Sequence, residues 1–189
     1  MSSEPAHNNA LLRKAKILFA SGNLERCIEL FTIAEKNGCH TVDLWLSRGA
    51  AQMAFGNYDQ AKEDFTRVLS EDTNNERAHY FRGIALVALG EYEDGITDLT
   101  LSLMRNNDRG IAHLVRGLAY SELGQEADAV LDLNSASAFS DAEIGSFKKL
   151  FGNLPGPFQN TRAMLAKENA PWNNLLNQNS ANKLLNLLQ

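Results

Sequence analysis

Cysteine, proline, positive charge and long apolar runs are all scarce in this chain of 189 residues, and each shortage removes a class of protein. Cys27 and Cys39 are too few for a disulfide scaffold and stand at no metal-ligand spacing. With 23 acidic against 18 basic side chains, the chain lacks the basic face that holds phosphates, so nucleic acid is not expected as a partner. The most apolar stretch, AHYFRGIALVALG, carries Arg82 in its middle and falls short of the roughly 18 uninterrupted apolar residues of a membrane span. The start, MSSEPAHNNALL, has neither a basic segment followed by an apolar run nor a small-residue cleavage pattern. A cytoplasmic protein with reduced thiols, bound to no membrane, is the expectation. Catalytic signatures are missing too: there is no phosphate loop, no nucleophile elbow and no histidine pair spaced for zinc hydrolysis. The chain therefore reads as non-enzymatic, with no catalytic residue, no cofactor and no metal.

Glycine, by contrast, is plentiful and periodic. Gly22, Gly56, Gly90 and Gly124 stand 34 residues apart, and Gly49, Gly83 and Gly117 keep the same step, each seven residues ahead of a member of the first series. Self-similarity at a fixed period is the signature of a repeat architecture. The step divides the chain into units 8–41, 42–75, 76–109 and 110–143, behind a flexible leader 1–7. After each turn glycine come GNLERCIELF, GNYDQAKEDF, GEYEDGITDL and GQEADAVLDL, in which a small residue (Cys27, Ala61, Gly95, Ala129) precedes a large apolar one by four (Phe31, Phe65, Leu99, Leu133). That spacing fits a helix packed closely on a neighbour. Ahead of three turns run SRGAAQMAFG, FRGIALVALG and VRGLAYSELG, helical in pattern despite an internal glycine that costs roughly 1 kcal/mol against alanine. Each unit thus reads as a helical hairpin, with its turn glycine in the left-handed conformation. Pro5, Pro155, Pro157 and Pro171 all lie outside the units, which leaves the helices unbroken.

A 34-residue hairpin with Trp45, Gly49, Gly56, Tyr58, Ala61 and Phe65 resembles the tetratricopeptide repeat family. The resemblance extends from residue 8 to about 141. In the first unit Ala15 replaces the packing glycine and Leu24 the tyrosine, and the family's proline near the unit end is replaced by Cys39, Thr73, Asn107 and Asp141. It implies an all-α, right-handed superhelical solenoid of helix-turn-helix repeats with C-terminal capping helices.

Arg48, Arg82 and Arg116 recur ahead of the packing glycines, and Asp64, Asp98 and Asp132 recur 16 residues after them. Three equal copies point to structural ion pairs within the hairpins, because a guanidinium and a carboxylate can bond in bidentate fashion. His79 and His113 occupy the register of Trp45 and read as packing groups. Equivalent sites on neighbouring hairpins lie about 8–10 Å apart, too far to share a zinc ion.

The resemblance also implies a function. In that family the first helices line a concave surface that holds a peptide or helix of another protein, as in adaptors and co-chaperones. The register assigns the groove to Leu46, Ala50 and Met53 in the second unit, Arg77, Tyr80, Ile84 and Val87 in the third, and Leu114 and Leu118 in the fourth. It is mainly apolar, and the Lys/Asn clamp that grips chaperone tails has no match. Beyond the repeats, residues 141–152 read as a capping helix, and 153–189 as a turn-rich linker followed by short amphipathic helices that need a surface. Those helices can dock on the last hairpin, in the chain's own groove, or in a neighbour's. A groove filled by the chain's own or a neighbour's tail makes a self-associating structural protein the alternative, and exchange between chains makes a homodimer.

Overall fold

The computed structural model describes residues 4–137, 158–167 and 178–188, together with positions 145, 148, 170, 175 and 176. Among the described residues there are ten helices and no strand. The expected capping helix 141–152 lies outside the described residues apart from Gly145 and Lys148, and so does 153–157. No described helix is long and apolar enough to cross a membrane.

The chain divides into two units, 1–82 and 83–189. The first contains α1 (Glu4–Ala20), α2 (Leu24–Lys36), α3 (Val42–Phe55) and α4 (Tyr58–Glu71). The division falls inside α5 (Glu76–Ala88). The second unit continues with α6 (Tyr92–Leu103), α7 (Gly110–Glu122), α8 (Glu126–Ser137), α9 (Gln159–Leu165) and α10 (Gln178–Leu187). Helix α1 begins within the segment read as a leader.

One turn design separates the two helices of every repeat. At the end of α3, Gly56 takes φ 89°; its amide donates to Met53 O at 3.0 Å and that of Asn57 to Gln52 O at 2.9 Å. These two reverse bonds satisfy carbonyls the helix leaves open, and the left-handed residue between them is one that only glycine occupies without penalty. The same pair of bonds recurs at Gly22, Gly90 and Gly124. A second design fixes how closely the paired helices approach. A Cβ on Gly49 would lie 2.7 Å from Phe65 Cε1, and one on Gly117 would lie 3.0 Å from Leu133 Cγ. Phe65 and Leu133 have no exposed surface, so each ring or isobutyl group fills the space the missing side chain leaves.

Candidate functional site

Each unit holds an arginine–aspartate pair that joins a first helix to its second. In the first unit Arg48 donates from Nε to Asp64 Oδ2 at 2.8 Å and from Nη2 to Oδ1 at 2.7 Å. Its remaining arm, Nη1, reaches Glu35 Oε2 at 2.7 Å. Glu35 also accepts from Trp45 Nε1 at 2.9 Å and from Arg67 Nη1 at 2.8 Å. Burial draws the Arg48 guanidinium down, but its bonds to Asp64 and Glu35 more than offset this and hold it above its ordinary value. Burial likewise pushes the Glu35 carboxyl up; the bonds from Arg48 and Trp45, with the charges of Arg48 and Arg67, bring it below the ordinary carboxylate value. For Asp64, burial outweighs the pull of Arg48 and Arg67, and its carboxyl stands raised.

The second unit repeats the bidentate pair with different company. Arg116 donates from Nε to Asp132 Oδ2 at 2.6 Å, from Nη2 to Oδ1 at 2.8 Å, and from Nη1 to Thr100 Oγ1 at 2.9 Å. His113 Nδ1 lies 2.9 Å from Asp132 Oδ1, and its Nε2 lies 3.3 Å from Asn107 O. Arg82 donates to Thr66 Oγ1 at 3.2 Å, and Asp98 is buried. Each of Arg82 and Arg116 thus reaches back 16 residues to a threonine of the preceding second helix. Thr32, Thr66 and Thr100 recur at the 34-residue step, a signal the sequence reading did not use.

The nine assigned groove residues divide by exposure. Arg77 is exposed, Leu46 and Ala50 are half-buried, and Met53, Tyr80, Ile84, Val87, Leu114 and Leu118 are buried. The Cγ2 of Val87 lies where a Cβ on Gly95 would meet it at 2.7 Å, so it packs against the second helix of its own hairpin. Near Leu46, Lys16 of α1 donates to both carboxylate oxygens of Asp43, at 2.7 and 2.9 Å, in an exposed pair.

On the last repeat a further helix is seated. Helix α9 packs on α7: Ser121 Oγ lies 3.7 Å from Met164 Sδ, and Asn160 Nδ2 donates to Glu122 O at 2.9 Å. Glu122 Oε1 accepts from the backbone amide and the hydroxyl of Thr161, both at 3.0 Å. Thr161, Met164 and Leu165 are buried. Lys167 pairs with Glu126, and Arg162 donates to the carbonyl of Leu188. Phe158, which enters α9, lies in the left-handed region at φ 38° and offers no side-chain cap. A non-glycine residue there costs about 1–2 kcal/mol. Helix α9 therefore relies on Glu122 for bonds that its own first turn does not supply. Burial, with the charge of Glu122 nearby, pushes the Tyr92 phenol up.

Compared with known proteins, residues 52–119 match the family model described as tetratricopeptide repeat. No curated protein matches the chain. Among solved structures, a crystal structure of MamA protein is 16% identical with a TM-score of 0.69, covering 100% of this chain and 91% of that one. MamA 41-end from Desulfovibrio magneticus RS-1 is also 16% identical, with a TM-score of 0.69 and 96% and 93% covered. YrrB, a TPR protein with an unusual peptide-binding site, is 16% identical with a TM-score of 0.63 and 94% and 82% covered. At these identities the likeness is one of fold.

Proposed function

Starting from a chain that is a tetratricopeptide-repeat protein, we propose that it is a non-enzymatic scaffold whose first helices bind a peptide or helix of another protein. The observation that carries this reading is α9 seated on α7, a first-helix surface already holding a helix through Ser121 and Glu122. YrrB, a TPR protein with an unusual peptide-binding site, has the same fold. Leu46 and Ala50 of α3 remain half-buried and, with exposed Arg77, form the accessible part of the assigned groove. The setting we propose is the cytoplasm, with no membrane engaged and with a net charge of −5 that disfavours nucleic acid.

Replacing Leu46 and Ala50 together by Asp in the full chain tests the reading. Cell proteins retained by the wild-type chain and lost by the variant, with the helical circular dichroism unchanged, support it. Identical sets of retained proteins would sink it. A second reading, self-association through the C-terminal segment, rests on the same α9 contact, because bonds made within one chain can be made between two. Light scattering decides it: deleting residues 158–189 halves the mass if chains exchange the segment, and otherwise leaves the particle monomeric.

A further inference from the structure

At the end of α7 the repeat breaks its own pattern. The residues equivalent to Ser121 in the other units are Phe19, Met53 and Val87, and those equivalent to Glu122 are Ala20, Ala54 and Ala88. Three units thus end the first helix with a large apolar residue and an alanine, while the fourth ends with a hydroxyl and a carboxylate. These two departures are the residues that hold α9: Ser121 meets the Met164 sulfur, and Glu122 takes both the amide and the hydroxyl of Thr161. The departure from the period and the contact with α9 thus fall on the same two residues.

The ligand seated there is weakly self-sufficient. Helix α9 has seven residues, below the length at which a helix is stable alone, and enters through the strained Phe158. Its order comes from the surface under it. A longer helix offering the same groups, with an entry free of that strain, would make the same contacts at less cost.

On the reading of the chain as a helix-binding scaffold, we propose that the α7 surface is a receptor for amphipathic helices of partner proteins, with Glu122 as its specificity-determining residue and α9 as its intramolecular competitor. The recognised helix carries a small hydroxyl residue near its start and large flexible apolar residues three and four positions later, as Thr161, Met164 and Leu165 do. Glu122 rejects a helix without that hydroxyl, because an acceptor desolvated by the incoming helix is then left with one donor fewer.

A fluorescent synthetic peptide of residues 158–188 serves as the probe, added to the full chain and followed by anisotropy. The tethered α9 competes at an effective concentration near the millimolar range, so the full-length variant Met164→Asp, which cannot seat its own α9, should bind the peptide at least about tenfold more tightly than the wild type. Adding Glu122→Ala to that variant, or Thr161→Val to the peptide, should each weaken binding by about tenfold. In the wild type, a saturating excess of peptide should speed hydrogen exchange of the α9 amides and leave those of α8 unchanged. This second readout needs no variant to fold.

Peptide binding that ignores both Glu122 and Thr161 would overturn the receptor while leaving the scaffold reading intact. A Met164→Asp chain that stays helical and monomeric yet binds no peptide would sink the receptor as well, and leaves the scaffold to be judged on α3. Stable dimers of the wild type holding α9 in exchange would replace the partner helix by a second copy of this chain and overturn the proposal.

Discussion

The two units use the same bidentate arginine pair for different ends. In residues 1–82 the third arm of Arg48 goes to Glu35, a carboxylate with 19% of its side chain exposed that also collects Trp45 and Arg67. In residues 83–189 the third arm of Arg116 goes to the Thr100 hydroxyl, and Asp132 takes His113 as its second partner. One unit thus concentrates charge in its interior, while the other carries a lighter network and has a helix seated on its surface. The repeat supplies the same bidentate pair at Arg48–Asp64 and Arg116–Asp132, and the partners around it vary from one to the other.

Removing the arginine from each unit breaks the comparison most sharply. Arg48→Met takes the bidentate partner from buried Asp64 and one of three donors from Glu35, which keeps Trp45 and Arg67, and loss of one partner from a buried ion pair costs about 3–5 kcal/mol. Arg116→Met strands only Asp132, which keeps His113, and the arginine side chain is twice as exposed, at 16% against 8%. Its cost should be smaller, about 1–3 kcal/mol. Amide exchange read separately in α3–α4 and α7–α8 measures both. Equal losses would show that Glu35 adds nothing to the demand for a cation.

The packing glycines sharpen the contrast at a lower energy. Gly49→Ala drives a methyl to 2.7 Å from a fully buried Phe65 ring, an overpacking that costs about 1–3 kcal/mol. Gly117→Ala meets Leu133 Cγ at 3.0 Å and the Ala129 carbonyl oxygen at 3.2 Å, contacts a few tenths of an ångström looser than the nearest one at Gly49. Alanine also gains up to about 1 kcal/mol of helix propensity over glycine at either site, so the second substitution should cost less than the first. Urea denaturation of the two variants gives the order directly, and a Gly117→Ala chain as unstable as Gly49→Ala would reverse the assignment.

Much of this architecture is legible in the sequence because a 34-residue period repeats its evidence: turn glycines, small packing positions and the Arg–Asp spacing each occur several times. Exposure is less legible. Ile84, Leu114 and Leu118 have the register of a groove, yet they are almost wholly buried, since an apolar residue on a first helix serves its neighbours before it serves a ligand. The residues missed altogether are those that depart from the period. Glu35 stands where Leu69 and Leu103 follow, and Glu122 stands where Ala20, Ala54 and Ala88 precede it. A search for regularity discards such positions, although a charged residue replacing an apolar one inside a repeat signals a contact peculiar to that copy.

Acid titration isolates what Glu35 contributes to the first unit. Its folded carboxyl lies below the ordinary 4.5, so its stabilisation is complete above that value and is lost as the pH falls through the folded one. Asp64 acts in the opposite sense: its raised carboxyl favours folding below its unfolded value of 3.8, and that advantage is lost as the pH rises through the folded value. Wild-type stability alone mixes the two, whereas the difference between wild type and Glu35→Gln cancels Asp64 to first order. That difference should be about 1 kcal/mol at neutral pH, since the amide keeps the shape of the carboxylate and gives up its charge-assisted bonds. It should narrow as the pH drops below 4.5. A gap that stays constant or widens in acid would mean that Glu35 is bound for its shape, and the first unit's interior charge would then reduce to the same Arg–Asp pair that the second unit carries.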